Sequence, residues 1–369
     1  MKTIIAFVSI ACFGAAHAAD LDSSIARLRA VDREGEGNAA ASAAWSEVAK
    51  AEASDLTKVL AGMNGANPLA ENWLRAAVSA IADRPPTEGK SVPIESLVTF
   101  LQDTKNAPSP RVVAFDIIRK INPAKSEQLA MGLLADPSSE LRRYPVTKLI
   151  EEGDASMAAN KKDVAADIFQ KALVAARDED QIKSAAKKLR DLGQTVDLPK
   201  HFGFLMKWQL IAPFTNVDRK GFEEVFPPER EINLKASYPG KGGDAKWLPF
   251  GSQDDYGMID FNKPFTMLKE VTGYAYTEFN SAEAHDAEIR IGCKNGWKVW
   301  LNGELLFARD EYHRGMKLDQ YKLPIRLKKG ANKILVKCCQ NEQTENWTVE
   351  WQFQLRVCDA TGTAIAEAK

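Results

Sequence analysis

The stretch "ARDEYHRGMKLDQ" gathers Arg309, Asp310, Glu311, His313, Arg314 and Asp319 in one loop beside a hairpin. In that set a carboxyl at Asp310 or Glu311 would serve as general acid and the imidazole of His313 as base. Charged runs of this kind more commonly form a solvated loop laced with local ion pairs, and that is the expectation adopted. "EAHDAE", around His285 and Asp286, holds metal-capable side chains, but neighbours on one loop need distant partners to close a site. Asp254 and Asp255 are the candidate for a structural calcium ion, and no other cofactor is expected.

Cys293, Cys338, Cys339 and Cys358 all fall in the last quarter of the chain. They form no C-x-x-C, so zinc, haem attachment and thioredoxin-type chemistry lack their signature. One structural disulfide is expected ahead of four free thiols. Strand parity places Cys293 and Cys338 on core faces and Cys339 and Cys358 on outer faces, which leaves two pairings open. H-E-x-x-H, G-x-S-x-G and G-x-x-x-x-G-K-[ST] are absent.

The first residues carry Lys2, an apolar run from Ile4 to Phe13 and the small-residue ending Ala16-His17-Ala18. These are the parts of a secretory signal peptide, with cleavage expected after Ala18. The run falls short of the roughly twenty apolar residues that span a bilayer, and nothing later is longer, so no membrane span is expected. Cys12 follows Ser9-Ile10-Ala11 without the leucine of a lipoprotein signal, and lipidation is not expected. The mature chain is therefore expected in the periplasm or secreted, where disulfides persist. A net charge of -1, from 49 basic and 50 acidic residues, removes the electrostatic case for a nucleic-acid partner.

Two periodicities divide the chain into a signal peptide (1–18), a helical domain (19–192), a linker (193–201), a β-sandwich (202–360) and a flexible tail (361–369). In "SPRVVAFDIIRKI" apolar residues recur at three and four positions, with Ser109-Pro110 read as cap and first helical residue. "DPSSELRRYPVTKLIEEG" repeats that design, with Pro145 expected to kink or divide its helix and Gly153 to stop it. Further helices are predicted at Ala39–Leu60, Pro68–Ala82, Ile94–Gln102, Ser126–Leu134, Lys162–Ala176 and Glu179–Leu192. Short helices joined by Pro, Gly, Asn and Asp suggest an α-solenoid, or else an irregular bundle. Gly193 ends the last helix and Pro199 is read as preventing another.

Beyond residue 201 the period falls to two. "AEIRIGC" puts Ile289, Ile291 and Cys293 on one face, and Asn295-Gly296 and Asn302-Gly303 each read as a hairpin turn. "LKKGANKILVKCC" reads as strand, turn and strand. "WTVEWQFQLRV" is read as one strand with Trp347, Val349, Trp351, Phe353, Leu355 and Val357 all facing the core. Roughly eight strands from Leu205 to Cys358 suit a jelly-roll. The fold class is thus multidomain α + β, a helical repeat-like domain followed by an antiparallel β-sandwich.

Three strings, "WKVWLNGELLF", "LKKGANKILVKCCQ" and "WQFQLRV", resemble the galactose-binding-like β-sandwich, including the accessory sandwich of family 2 glycoside hydrolases. "KWQLIAPFTN" with "GFEEVFPPE" resembles a version found in large secreted bacterial proteins, where it follows helical repeats. In the helical half, "DPSSELRRYPVTKLIEEG" is similar to a degenerate HEAT repeat and "DVAADIFQKALVAARDEDQIKSAAKKL" to a TPR-type hairpin. The resemblance implies a carbohydrate or cell-envelope glycan ligand at the loops or on one sheet face. It carries over no catalytic pair, since such accessory sandwiches are not catalytic.

Sugar binding needs aromatic planes and fixed polar groups, and Trp247, Trp300, Tyr312 and Arg314 are the candidates. Trp300 has opposite parity to Val299 and Leu301, so it faces away from the core, there to bind sugar or, preferentially, to pack under another layer. The sequence thus reads as an exported non-catalytic binding protein, taking a carbohydrate through the sandwich or a protein through the helical surface. The alternative is a glycan-active hydrolase or lyase whose carboxylates carry no recognisable motif.

Overall fold

A computed structural model describes residues 20–85 and 91–368. The expected signal peptide, its cleavage point and Cys12 lie outside the described residues. The chain divides into two compact units, Met1–Leu149 and Ile150–Lys369. A helical region over residues 20–202 is followed by two antiparallel sheets.

The first unit begins with helix α1 (20–29) and continues with α2 (Asn38–Val48), α3 (Leu56–Ala61), α4 (Pro68–Ala82), α5 (Ile94–Gln102), α6 (Pro108–Ile121) and α7 (Pro123–Ala130). The single helix predicted over 39–60 is two. Glu52 takes extended backbone angles, and the turn lets both α2 and α3 lay their apolar residues on α4. The side chain of Asn67 caps α4 by accepting from the backbone N–H of Leu69 and Ala70, and Pro68 follows where its missing N–H costs nothing. Asn122 caps α7 in the same way, so that helix starts before the expected Ser126. Helix α6 starts at Pro108 without a side-chain cap, not at Ser109-Pro110.

Helix α8 (Ser139–Ala158) runs through both Pro145 and Gly153. Gly153 is a packing notch and not a stop. A Cβ there would come within 2.4 Å of the Phe169 ring on α9 (Lys162–Ala175), a helix that pairs with α10 (Glu179–Asp191). Pro199 does not forbid a further helix either. It occupies the first turn of α11 (Leu198–Phe202), which the Asp197 carboxylate caps through the Lys200 N–H.

Eleven strands follow, three more than the pattern suggested: β1 (Lys207–Thr215), β2 (Ser237–Gly240), β3 (Gly243–Gly251), β4 (Ile259–Asp260), β5 (Val271–Ser281), β6 (His285–Cys293), β7 (Gly296–Leu301), β8 (Glu304–Arg309), β9 (Tyr321–Leu327), β10 (Gly330–Gln340) and β11 (Gln352–Cys358). They form a seven-stranded sheet, β2-β3-β1-β5-β10-β7-β8, and a four-stranded sheet, β4-β11-β6-β9. The core between the sheets takes alternate residues from each strand: Ala275, Trp297, Val299, Ile334, Val336 and Cys338 from the large sheet, Ile289, Ile291, Cys293, Phe353, Leu355 and Val357 from the small one.

Only one of the two Asn-Gly pairs makes a hairpin. Asn302 and Gly303 have φ of 53° and 89°, the two positive values a tight β7–β8 turn requires. Asn295-Gly296 instead carries the chain from β6 in the small sheet to β7 in the large one. The Asn295 side chain is buried there, donating to Gln340 Oε1 at 3.2 Å and the Glu350 carbonyl at 3.1 Å and accepting from the Gln352 N–H at 3.3 Å. The turn between β9 and β10 also changes sheets.

Among the described residues, those from Ile365 to Ala368 are hydrogen-bonded back to the sandwich. Ile365 N–H donates to the Val357 carbonyl, Ala368 N–H donates to the Asn280 carbonyl, and the Ile365 side chain packs on the core.

Candidate functional site

Trp347 does not reach the core. A single helical turn, Asn346–Thr348, interrupts the alternation before β11, and it is Thr348 that turns inward. The Thr348 hydroxyl donates to the Gln343 and Glu345 carbonyls, while its own carbonyl accepts from Gln340 Nε2 at 3.0 Å and Lys269 Nζ at 2.9 Å. Trp351 regains the core at 0% exposure, and Trp347 is left 60% exposed, the only exposed aromatic side chain among the described residues.

The "ARDEYHRG" loop meets this indole. His313 packs edge-on against Trp347 with ring centroids 5.7 Å apart. Its Nε2 lies 2.7 Å from Asn341 Oδ1. That oxygen also accepts the backbone N–H of Gln343, and Asn341 Nδ2 donates to Gln343 Oε1, so the amide orientation is settled and Nε2 must be the protonated nitrogen. The other nitrogen, Nδ1, is an enclosed acceptor without a protein partner. Burial lowers the His313 pKa, so the ring is neutral at neutral pH. His313 holds a positive φ of 56°, which aims the ring back at the Asn341 loop.

Beside it, the Arg219 guanidinium lies 5.2 Å over the Tyr312 ring and forks onto Glu342 at 3.1 and 2.5 Å. The Tyr312 hydroxyl accepts from Asn216 Nδ2 at 3.2 Å, and burial raises its pKa, so it stays protonated. Asp310 is also raised, chiefly by burial and then by Glu223. Arg314 is exposed, with Nε 3.5 Å from Glu311. This loop end therefore combines one open indole, packed against His313, with a neutral imidazole, amides and a half-exposed ion pair that are held by hydrogen bonds. Such a set can stack on an apolar ring face and offer the half-exposed Arg219–Glu342 pair to hydroxyls.

The expected site residues fall into two groups. Tyr312 and Arg314 belong to the loop end. Trp247 and Trp300 lie on the outer face of the large sheet, where Phe226, Ile232 and Tyr238 pack over Tyr274, Tyr276 and Leu335. Trp300 does face away from the core as parity required, yet it is only 9% exposed beneath that layer. The layer is pinned by Lys337, a fully buried cation that donates to the Phe222 and Glu224 carbonyls and to Glu229 Oε1 at 2.9 Å. Asp254 accepts the Tyr256 N–H and Asp255 pairs with Arg190 at 2.8 Å. Among the described residues no group of three or more His, Cys, Asp or Glu is arranged to hold a metal ion.

The sulfurs follow parity, but only one of the two pairs shares a face. Cys293 and Cys338 meet in the core, but Cys339 and Cys358 lie on the outer faces of different sheets, with the core between them. All four are thiols in this structure.

No family model and no curated protein matches the chain. Among solved structures it is distantly similar to a β-glucosidase from Kluyveromyces marxianus in complex with glucose, at 15% identity and a TM-score of 0.22, over 42% of this chain and 16% of that one. It is similar to a GH31 α-xylosidase from Xanthomonas citri at 8% identity and a TM-score of 0.21, with the same shares. A selenomethionine form of the Kluyveromyces marxianus β-glucosidase matches at 12% identity and a TM-score of 0.27, over 78% of this chain and 38% of that one. The chain thus spans well under half the length of these enzymes. Among the described residues no helix is long and apolar enough to cross a membrane.

Proposed function

We propose that this chain is an exported, non-catalytic binding protein that takes a carbohydrate at the loop end of its sandwich, with Trp347 as the stacking plane, Arg219 and Glu342 as the exposed polar groups, and His313 with the buried Asn341 as the support that holds the edge of the indole. The observation that supports this reading is the single exposed indole set among side chains already fixed by hydrogen bonds. An aromatic plane open to water beside fixed polar groups is the kind of surface that stacks on a sugar ring. Tyr312 supports Arg219 from beneath, and Arg314 stands at the rim. A protein partner for the helical surface remains the second half of the reading.

The test is a polysaccharide pull-down and glycan array with the full mature chain and its Trp347→Ala variant. Because Trp347 is exposed, the variant should keep its thermal midpoint while retention falls at least about tenfold, or about 1.4 kcal/mol. Wild-type binding that ignores this change would remove the site, and a wild type that binds no glycan would move the reading to a protein partner.

One observation favours a second reading, a glycan hydrolase. Burial and Glu223 hold the Asp310 carboxyl above its usual range, as a general acid requires. Release of reducing sugar by the wild type, abolished in Asp310→Asn, would establish it.

A further inference from the structure

Cys293 ends β6 of the small sheet and Cys338 lies near the end of β10 in the large one, so their side chains meet across the core from opposite walls. Their Sγ atoms are 3.8 Å apart, which is van der Waals contact between two sulfurs. Cys293 Sγ also lies 3.5 Å from the Gln352 carbonyl and 3.7 Å from the Asn295 carbonyl, so its thiol is held at the place where the chain changes sheets. A disulfide needs its sulfurs at about 2.05 Å, so the two side chains must turn toward each other to form one. The other two cysteines have different neighbours: Cys339 faces the Thr272 hydroxyl at 3.4 Å and Cys358 the Glu288 carbonyl at 4.0 Å.

We propose that Cys293 and Cys338 are a disulfide pair that staples the two sheets of the sandwich. In the step, a thiolate of one cysteine attacks a small-molecule or protein disulfide and forms a mixed disulfide. The second cysteine then displaces it, so the pair loses two protons and two electrons and the oxidant leaves as two thiols. Burial raises the Cys338 thiol well above its ordinary range, and both sulfurs are shielded in the folded core, so the exchange belongs to folding, before the sheets close. The bond would join residues 45 apart in sequence and remove that freedom from the unfolded chain.

The experiment is refolding of the full mature chain in a mixture of reduced and oxidised glutathione, followed by alkylation and tryptic mapping without reduction. Cys293 lies in the peptide Ile291–Lys294, and Cys338 and Cys339 share the peptide Cys338–Arg356. The expected product is two mass units lighter, with Ile291–Lys294 linked to Cys338–Arg356. Fragmentation should place the link at Cys338, with Cys339 and Cys358 alkylated. A reductant should then lower the thermal midpoint by roughly 5–15 °C. Cys339→Ser should keep the bond and Cys293→Ser should lose it. Four alkylated cysteines in the wild type, or a link through Cys339 or Cys358, would overturn the proposal even if no variant folds.

Discussion

The imidazole of His313 stands at 90° to the indole of Trp347, and Asn341 fixes its tautomer from the far side. The two rings come from loops 34 positions apart in sequence, and their meeting makes one surface of them. If the surface binds sugar, Asn341→Ala should free the imidazole to turn, unpair the Gln343 N–H beside the turn that carries Trp347, and weaken binding several-fold, or about 1 kcal/mol. Isothermal titration with the glycan retained in the pull-down would read this. An unchanged affinity would show that the bracket Asn341 makes with His313 and Gln343 does not matter for binding.

Asp319 bridges two buried arginines on the outer face of the small sheet, accepting from Arg290 at 2.8 Å and from Arg356 at 2.7 and 2.6 Å. Burial alone would raise its pKa, but the hydrogen bonds and charges of Arg356 and then Arg290 bring it below the ordinary value. A depressed carboxylate contributes stability above its unfolded pKa of about 3.9 and loses it as pH falls through the folded value. Asp319→Asn should therefore cost about 3 kcal/mol at pH 7, because the buried Arg356 loses its anion and Arg290 keeps only Glu288. Urea unfolding of wild type and variant at pH 7 and pH 3 should show that gap narrowing in acid.

His201 has the opposite chemistry and the same direction. Burial, then Arg177 and Arg356, lower its pKa to about 4. Between about 6.5 and 4 the unfolded chain binds a proton that the folded one refuses, so stability falls as pH drops through that window. The loss should reach about 2 kcal/mol, allowing for partial exposure. Replacing the imidazole by the non-titrating amide, His201→Gln, should flatten the slope between pH 6.5 and 4, measured by denaturant midpoints. A slope that survives would assign it to other groups.

Gly153→Ala tests a sign. In an open helix the change stabilises by about 1 kcal/mol. Here the new methyl would sit within 2.4–2.8 Å of the fully buried Phe169 ring, so α8 and α9 must separate or the ring must move. The variant should be destabilised by about 1–3 kcal/mol, read as a lower thermal midpoint. A stabilised variant would mean that the ring has room to yield.

Much of the fold was legible along the chain. Pro68–Ala82 and Ile94–Gln102 were marked to the residue by apolar spacing, and the parity of Cys293, Cys338 and Trp300 held, because these patterns follow from 3.6 and two residues per repeat. Trp347 was misread for a local reason: one helical turn before Gln352 breaks the alternation that parity arguments assume. The candidate site was half visible, since Tyr312, His313 and Arg314 stood in the flagged loop but their partners Arg219, Asn341 and Trp347 come from elsewhere.

Periodicity by itself determined the two halves, the core-facing residues of most strands and the Asn302-Gly303 hairpin, all of which depend on neighbours in sequence. Only the tertiary structure decided which strands share a sheet. Asn295-Gly296 has the composition of a hairpin turn, yet it crosses between sheets because its amide finds partners on Gln340 and Gln352, one from each wall. The buried Arg111–Asp136 pair, 3.0 and 2.5 Å apart and 25 positions distant in sequence, was hidden for the same reason. A charge announces burial only when its counter-charge arrives from another element, and no local pattern encodes that arrival.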